Sequence, residues 1–459
     1  MAAKPEVAFI GLGAMGFGMA TQLLKQGFDV TGFDVWAPTL ERFVAAGGKS
    51  AATPAAAVAG RPVCVCMVAT GAQAQAVLVD GPDAAAAAMP PNAALLLCST
   101  VPCGYVQALA RELADPAGAV RRPDILLVDC PVSGGTGRAA DGTLSLMIGT
   151  GPDAAAHPSS AVADVILAAL ADPTRLYRLN GGIGAGSNAK MVHQVLAVAH
   201  IVGGPEAMGF AVRLGLPANE DTLNALLASP GGAWMLGQRG PRIITNFLPL
   251  SSAIAIATKD AGIITGEARR TGFVAPLSNV VENAYFNAIA RGYGPDDDSS
   301  LLRLYTTGLE YAPPLPSALA NLPAKDRLQF VVNLLQGIHL ITAAESLAFA
   351  KHVGLDLDQM LDLFVNAAGG TAMLTAHGAS IVAALRNGKA ASGWAAESTA
   401  DGTLESIVAG LEASLDVAQQ IKAPLYLGTQ AYNLGQLALR SIGKQFPATA
   451  AGSIIKLWA

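Results

Sequence analysis

Val7-Ala-Phe-Ile10 runs directly into Gly11-Leu12-Gly13-Ala14-Met15-Gly16, then into a helix-like segment ending near Gln26 and into Asp29-Val-Thr-Gly-Phe-Asp34. Four consecutive apolar residues read as a buried parallel strand. A glycine turn, a helix, a second strand and an acid follow in the order that a dinucleotide-binding fold requires. Gly11 permits the tight turn, Gly13 lets backbone approach a pyrophosphate, and Gly16 lets the helix pack closely on the strand. The helix N-terminus, with Ala14 and Met15 in its first turn, offers unpaired N–H groups and a positive dipole end to phosphate. Asp34 is placed to accept hydrogen bonds from ribose hydroxyls. A carboxylate there repels the 2′-phosphate of NADP, and Val35-Trp36 supplies no arginine to offset it. The expected cofactor is NAD.

Strand-like runs recur at 63–68, 94–98 and 125–129, separated by helical patterns. They extend the first strands into a mostly parallel sheet with helices on both faces. Met67 and Val68, at the end of the third strand, join the expected cofactor-binding set. The expected fold class is an α/β, Rossmann-type doubly wound domain over 1–178, followed by an all-α region. A chain of 459 residues has room for two or three domains. The apolar fraction of 52% against 14% charged residues favours extensive burial over disorder.

No uninterrupted run of about 20 apolar residues appears, so no membrane span is expected. Five cysteines, Cys64, Cys66, Cys98, Cys103 and Cys130, lack metal-finger spacing and read as reduced, mostly buried thiols of a cytoplasmic protein. A net charge of −5 without a basic cluster argues against nucleic acid as a partner. No metal is expected; Asp296-Asp-Asp298 reads as a solvated acidic loop.

Asp129-Cys-Pro-Val-Ser133-Gly134-Gly135 is a strand end opening into a turn. Backbone N–H groups there, with the Ser133 hydroxyl, suit a substrate carboxylate. Gly184-Ala-Gly186-Ser-Asn-Ala-Lys190-Met-Val-His193-Gln194 leads into a long helical pattern. Lys190, His193 and Gln194 stand at i, i+3 and i+4 and so share one helix face. Three polar groups on an otherwise apolar helix are costly to bury without a purpose.

These motifs, with Ser99-Thr100-Val-Pro102, Gly142-Thr143-Leu144, Trp234-Met235 and Lys259-Asp260, resemble the β-hydroxyacid dehydrogenase family, related to 6-phosphogluconate dehydrogenase and including 3-hydroxyisobutyrate dehydrogenase. The resemblance covers roughly residues 5–306. It implies that Lys190 is catalytic, that Ser133, Gly134 and Gly135 hold a substrate carboxylate, and that Thr100 lies near nicotinamide and substrate. Trp234 belongs to the substrate-binding set; Lys259 would close the site over the cofactor, supported by Asp260. Common members carry two asparagines where His193 and Gln194 stand here. That pair, and the stretch from Gly292 to Ser299, look like the branch acting on L-threonate and D-erythronate, whose polyhydroxylated chains give His193 and Gln194 more groups to bond.

Oxidation of such a hydroxy acid sends a hydride to nicotinamide and leaves a hydroxyl proton to be removed. Lys190 is the expected general base, with burial beside the cationic ring lowering its pKa; His193 is the rival. Other readings are a 3-hydroxyisobutyrate-type dehydrogenase, a glyoxylate or succinic semialdehyde reductase, and, in a different class, a non-catalytic NAD-binding scaffold.

The chain continues past the length of short family members. The expected layout is a first helical unit over 179–306, a Pro-rich linker over 307–325 and a second, degenerate unit over 326–459. His200-Ile-Val-Gly-Gly-Pro-Glu206 is echoed by His339-Leu-Ile-Thr-Ala-Ala-Glu345, and Gly231-Gly-Ala-Trp234-Met235 by Gly369-Gly-Thr-Ala372-Met373. Gln329, Ala372 and Ile407-Val408 fall where Lys190, Trp234 and Lys259-Asp260 stand in the first copy. The expectation is an internal pseudo-dimer centred on helices near 183–212 and 326–353, with whole-chain dimerisation left open.

Overall fold

The computed structural model describes residues 4–118, 120–389, 395, 402–443 and 448–458. The chain divides into two compact units, Met1–Met191 with Gly354–Asp356, and Val192–Val353 with Leu357–Ala459.

The first unit is built on strands β1 (Val7–Ile10), β2 (Val30–Phe33), β3 (Lys49–Ser50), β4 (Val63–Cys66), β5 (Ala94–Leu97), β6 (Leu126–Asp129), β7 (Val132–Ser133), β8 (Leu144–Thr150) and β9 (Ala171–Arg178). Their order is β3-β2-β1-β4-β5-β6-β8-β7, with β9 beside β8. The run from β3 to β6 is parallel throughout; β8 pairs antiparallel with β6 and β7. Successive strand residues enter opposite cores. Val7, Phe9, Val63, Val65 and Leu96 face one, and Ala8, Ile10, Cys64, Cys66 and Leu97 the other. Burial on both faces is why these strands read as unbroken apolar runs instead of alternating ones. All five cysteines are buried, and none is in a disulfide among the described residues.

Helix α1 (Ala14–Lys25) follows β1, and α2 (Ala185–Arg213) follows β9. The division between these compact units falls after Met191, inside α2. The first turn of α2 is bonded to β6, with Ser187 N–H donating to Asp129 Oδ2 at 2.7 Å. That bond ties the start of a helical segment to the sheet.

The second unit is helical. Its elements include α3 (Trp234–Ile244), α4 (Ile254–Thr271), α5 (Pro276–Ala290), α6 (Ala324–His352) and α7 (Tyr426–Ile442). By length and hydropathy alone α2 and α6 could cross a membrane, yet 94% and 83% of their apolar windows are buried within the protein. Contacts between the two echoing stretches are reciprocal. Glu206 accepts from the N–H groups of Leu427 and Gly428 at the start of α7 (3.1 and 2.9 Å). Glu345 accepts from Leu277 and Ser278 at the start of α5 (2.8 and 2.9 Å). Trp234 N–H donates to Gly370 O and Ala372 N–H to Gly232 O, at 2.9 and 3.0 Å. A Cβ on Gly231 would lie 2.9 Å from Leu335, and one on Gly369 would lie 2.6 Å from Leu196. His200 and His339 meet edge to face, with ring centroids 4.6 Å apart.

The acidic loop departs from expectation. Asp297 and Asp298 are 3% and 0% exposed, not solvated. Arg239 grips Asp298 through Nε and Nη2 at 3.0 and 2.8 Å, and Arg242 reaches Asp297 at 3.0 Å. The two arginines come from α3, remote in sequence, and their pairing makes burial of the acids tolerable.

Candidate active site

The glycine turn takes the geometry its sequence demands. Gly11 has φ +92°, and a Cβ there would lie 2.5 Å from Met67 O. A Cβ on Gly16 would lie 2.0 Å from Gly11 O, so strand end and helix could not approach. Gly13 differs. An added Cβ would meet nothing within 4 Å, so the protein itself does not require glycine there. An exposed, unfilled space above Gly13, at a helix start with no acidic residue in the first turn, fits a pyrophosphate. Ala14 is exposed and Met15 half-buried in that turn.

Asp34, just beyond β2, accepts from Leu12 N–H (2.7 Å) and Trp36 N–H (2.9 Å), which fixes its carboxylate against the glycine turn. Val35 and Trp36 are 89% and 65% exposed, with no cation in either position. Met67 and Val68 are half-buried after β4. Met67 N–H donates to Ile10 O, and Val68 N–H to the Ser99 hydroxyl, each at 2.8 Å. Thr100 is half-buried beyond β5. These residues all lie at or just beyond the carboxyl ends of parallel strands, where open α/β sheets bind ligands.

Ser133 ends the short strand β7, paired with Ser145 of β8, and is 5% exposed. Gly134 (φ +143°) and Gly135 (φ +73°) turn the chain into the helix Gly135–Asp141 and remain accessible. Lys190 lies in the second turn of α2 and is 6% exposed. Burying an ammonium-bearing chain is costly without partners or a task.

In the second unit, Gln194 donates to Asp260 Oδ2 at 2.5 Å, and Lys259 Nζ stands 3.0 Å from Asp260 Oδ1. Asp260, expected as a support, thus links two other expected residues. Trp234 opens α3 half-buried. His193 is fully buried, its ring 6.1 Å from that of Phe364.

Sequence reasoning passed over Asp129 and Ser187. Asp129 ends β6 at 0% exposure, its oxygens accepting from Ser187 N–H and Ser187 Oγ, both at 2.7 Å. Burial pushes its pKa up to about 6, against the lowering pull of these donors. An acid at a strand end, just before the Ser-Gly-Gly turn, was the available signal.

Comparison with known proteins agrees with this layout. The family model for the NAD binding domain of 6-phosphogluconate dehydrogenase matches residues 6–172. The model described as NAD-binding of NADP-dependent 3-hydroxyisobutyrate dehydrogenase matches twice, over 184–305 and 327–454. L-threonate dehydrogenase of Cupriavidus necator is 38% identical over 302 residues, covering 65% of this chain and 96% of that protein. The crystal structure of 3-hydroxyisobutyrate dehydrogenase from Salmonella typhimurium superposes with TM-score 0.59 at 29% identity, over 66% of this chain and all of that one. Plasmodium falciparum 6-phosphogluconate dehydrogenase, at 12% identity, shares the fold over 96% of this chain and 94% of its own (TM-score 0.66).

Fold and glycine cradle together define a nicotinamide-dependent oxidoreductase. The chain belongs to the 6-phosphogluconate and 3-hydroxyisobutyrate dehydrogenase family and is a hydroxy-acid dehydrogenase.

Proposed function

We propose that this enzyme oxidises a four-carbon sugar acid, L-threonate or D-erythronate, to the 2-oxo acid with NAD, using Lys190 as general base. The observation that carries the reading is Lys190 itself, 6% exposed in the second turn of a helix bonded to the carboxyl end of β6. Similarity to L-threonate dehydrogenase supports the substrate class. Asp34, fixed by two backbone donors and followed in sequence by Val35-Trp36 instead of an arginine, supports NAD over NADP.

Bound nicotinamide would supply the hydride acceptor. The chain's own residues do the rest. Gly134 and Gly135 offer N–H groups, and Ser133 a hydroxyl, to the substrate carboxylate, which orients the carbinol carbon. Lys190 Nζ, neutral when it acts, takes the hydroxyl proton and returns it in the reductive direction. Gln194 and Trp234 contribute to substrate selection, and Lys259 with Asp260 to cofactor retention. His193, buried beside Phe364, is better suited to packing than to proton transfer. The second helical repeat is a packing partner of the first, forming an internal pseudo-dimer, and carries no chemistry.

The test is NADH production from L-threonate, D-erythronate, 3-hydroxyisobutyrate and L-serine. The proposal expects a sugar acid to give the highest kcat/KM. Highest activity on 3-hydroxyisobutyrate, which the likeness to the Salmonella enzyme would favour, replaces the substrate; no NADH from any acid would return a non-catalytic role.

A further inference from the structure

We propose that Asp129 is a positioning residue for Lys190, its carboxylate setting the spacing between the lysine and the loop that holds the substrate carboxylate. The proposal rests on the role assigned to Lys190 above.

The geometry is a seat for one helix. Asp129 is the last residue of β6 and stands four residues before Ser133. Its Oδ2 takes the N–H and its Oδ1 the hydroxyl of Ser187, and the amides of Gly184 and Gly186 bear on it favourably. Ser187 and Lys190, at i and i+3, share a face of α2. One carboxylate therefore joins the origin of the Ser133–Gly135 loop to the turn beneath the lysine.

Three glycines make the seat tight. A Cβ on Gly186 would lie 2.4 Å from both Asp129 O and Met147 O, which are backbone atoms that cannot swing aside. A Cβ on Gly149 of β8 would lie 2.8 Å from Gly186 N and Gly182 O. Gly184, at φ +98°, turns the chain into the helix, where a Cβ would lie 2.6 Å from Cys103 Sγ. Helix start and strand ends thus touch backbone to backbone, with Asp129 as the polar lock.

An amide or a hydroxyl could cap this helix without burying a charge. The carboxylate is kept although burial raises its pKa to about 6, which costs stability at neutral pH. Two acceptor oxygens on a rigid fork hold the N–H and the hydroxyl of Ser187 at separate points, whereas an amide here would offer one acceptor oxygen and an NH2 donor.

The experiment compares Asp129→Ala, Asp129→Asn, Ser187→Ala and Lys190→Ala in the full chain. It reads kcat and KM for the hydroxy acid, NADH affinity by fluorescence, and thermal midpoint. Asp129→Ala is expected to lower kcat about 10²-fold, the scale of a displaced catalytic group, with NADH affinity within about threefold of wild type. Asp129→Asn, which keeps one acceptor, should recover part of that loss. Ser187→Ala should lose about three- to tenfold in kcat. Wild-type kcat in Asp129→Ala overturns the proposal, as does a loss in which NADH affinity falls in step. Should Asp129→Ala not fold, unchanged kcat in Ser187→Ala overturns it instead. Full turnover in Lys190→Ala would remove the lysine's role, whatever the Asp129 variants do. An inactive Lys190→Ala beside a fully active Asp129→Ala would remove only the positioning role.

Discussion

The two stretches that match one family model, 184–305 and 327–454, make reciprocal packing contacts but differ in their polar residues. Each sends a buried glutamate to the start of a helix in the other, Glu206 to α7 and Glu345 to α5. Each presents a glycine to a leucine of the other, and each exchanges one backbone hydrogen bond around Trp234 and Ala372. The polar set of the first copy is missing from the second. Gln329, in the place of Lys190, is exposed and bonded only to its neighbour Asn333 among the described contacts. Ile407 and Val408, in the places of Lys259 and Asp260, are buried apolar residues. Reciprocal contacts constrain both copies at once, because a change in either one spoils the shared interface. A catalytic group constrains only the copy that has a nucleotide fold before it.

The largest expected contrast is catalytic. Trp234→Ala and Lys259→Ala should each lower kcat/KM by about 10- to 100-fold, whereas Gln329→Ala and Ile407→Ala leave it within about twofold. Steady-state kinetics on the purified variants checks this, and a kinetic defect in Gln329→Ala would break the contrast. Glutamate clamps should instead behave alike. Glu206→Ala and Glu345→Ala each strand two buried N–H donors at a helix start and should cost about 3 kcal/mol in urea unfolding. A loss confined to one of them would mean that the reciprocity is geometric but not energetic.

Smaller again are the glycines at the interface. Gly231→Ala and Gly369→Ala overpack against Leu335 and Leu196 and should each cost about 1–2 kcal/mol. The smallest effect is in pH. Burial raises the Glu206 pKa to about 7, so the folded chain binds a proton that the unfolded chain has already released. Stability should therefore fall by about 1 kcal/mol as pH rises from 6.5 to 8. Below the ordinary histidine range the sign opposes this. His200 lies well below its usual pKa and His339 falls to about 3, through burial, so the unfolded state gains protons that the folded state refuses. Urea midpoints across this range, with Glu206→Gln flattening the alkaline slope, make the check.

Much of the fold was legible because its local rules are strict. Four-residue apolar strands, the positive φ of Gly11 and the contact of Gly16 with Gly11 O admit few alternatives. What escaped depended on partners far away in sequence. Asp129 reads as part of the Ser133 turn until Ser187 comes to meet it. Asp297 and Asp298 read as solvated until Arg239 and Arg242 arrive from α3. His193 shares a helix face with Lys190 by spacing, but its burial beside Phe364 is a property of the packed unit. The likeness of the His200 and His339 stretches was visible in the sequence; that the two rings would meet was not.

Lys190 carries the account, and its removal is the most direct test of it. Lys190→Ala should bind NADH with near wild-type affinity in a fluorescence titration yet form NADH from the sugar acid about 10³-fold more slowly than wild type. An alanine variant that oxidises the acid at the wild-type rate would contradict the mechanism.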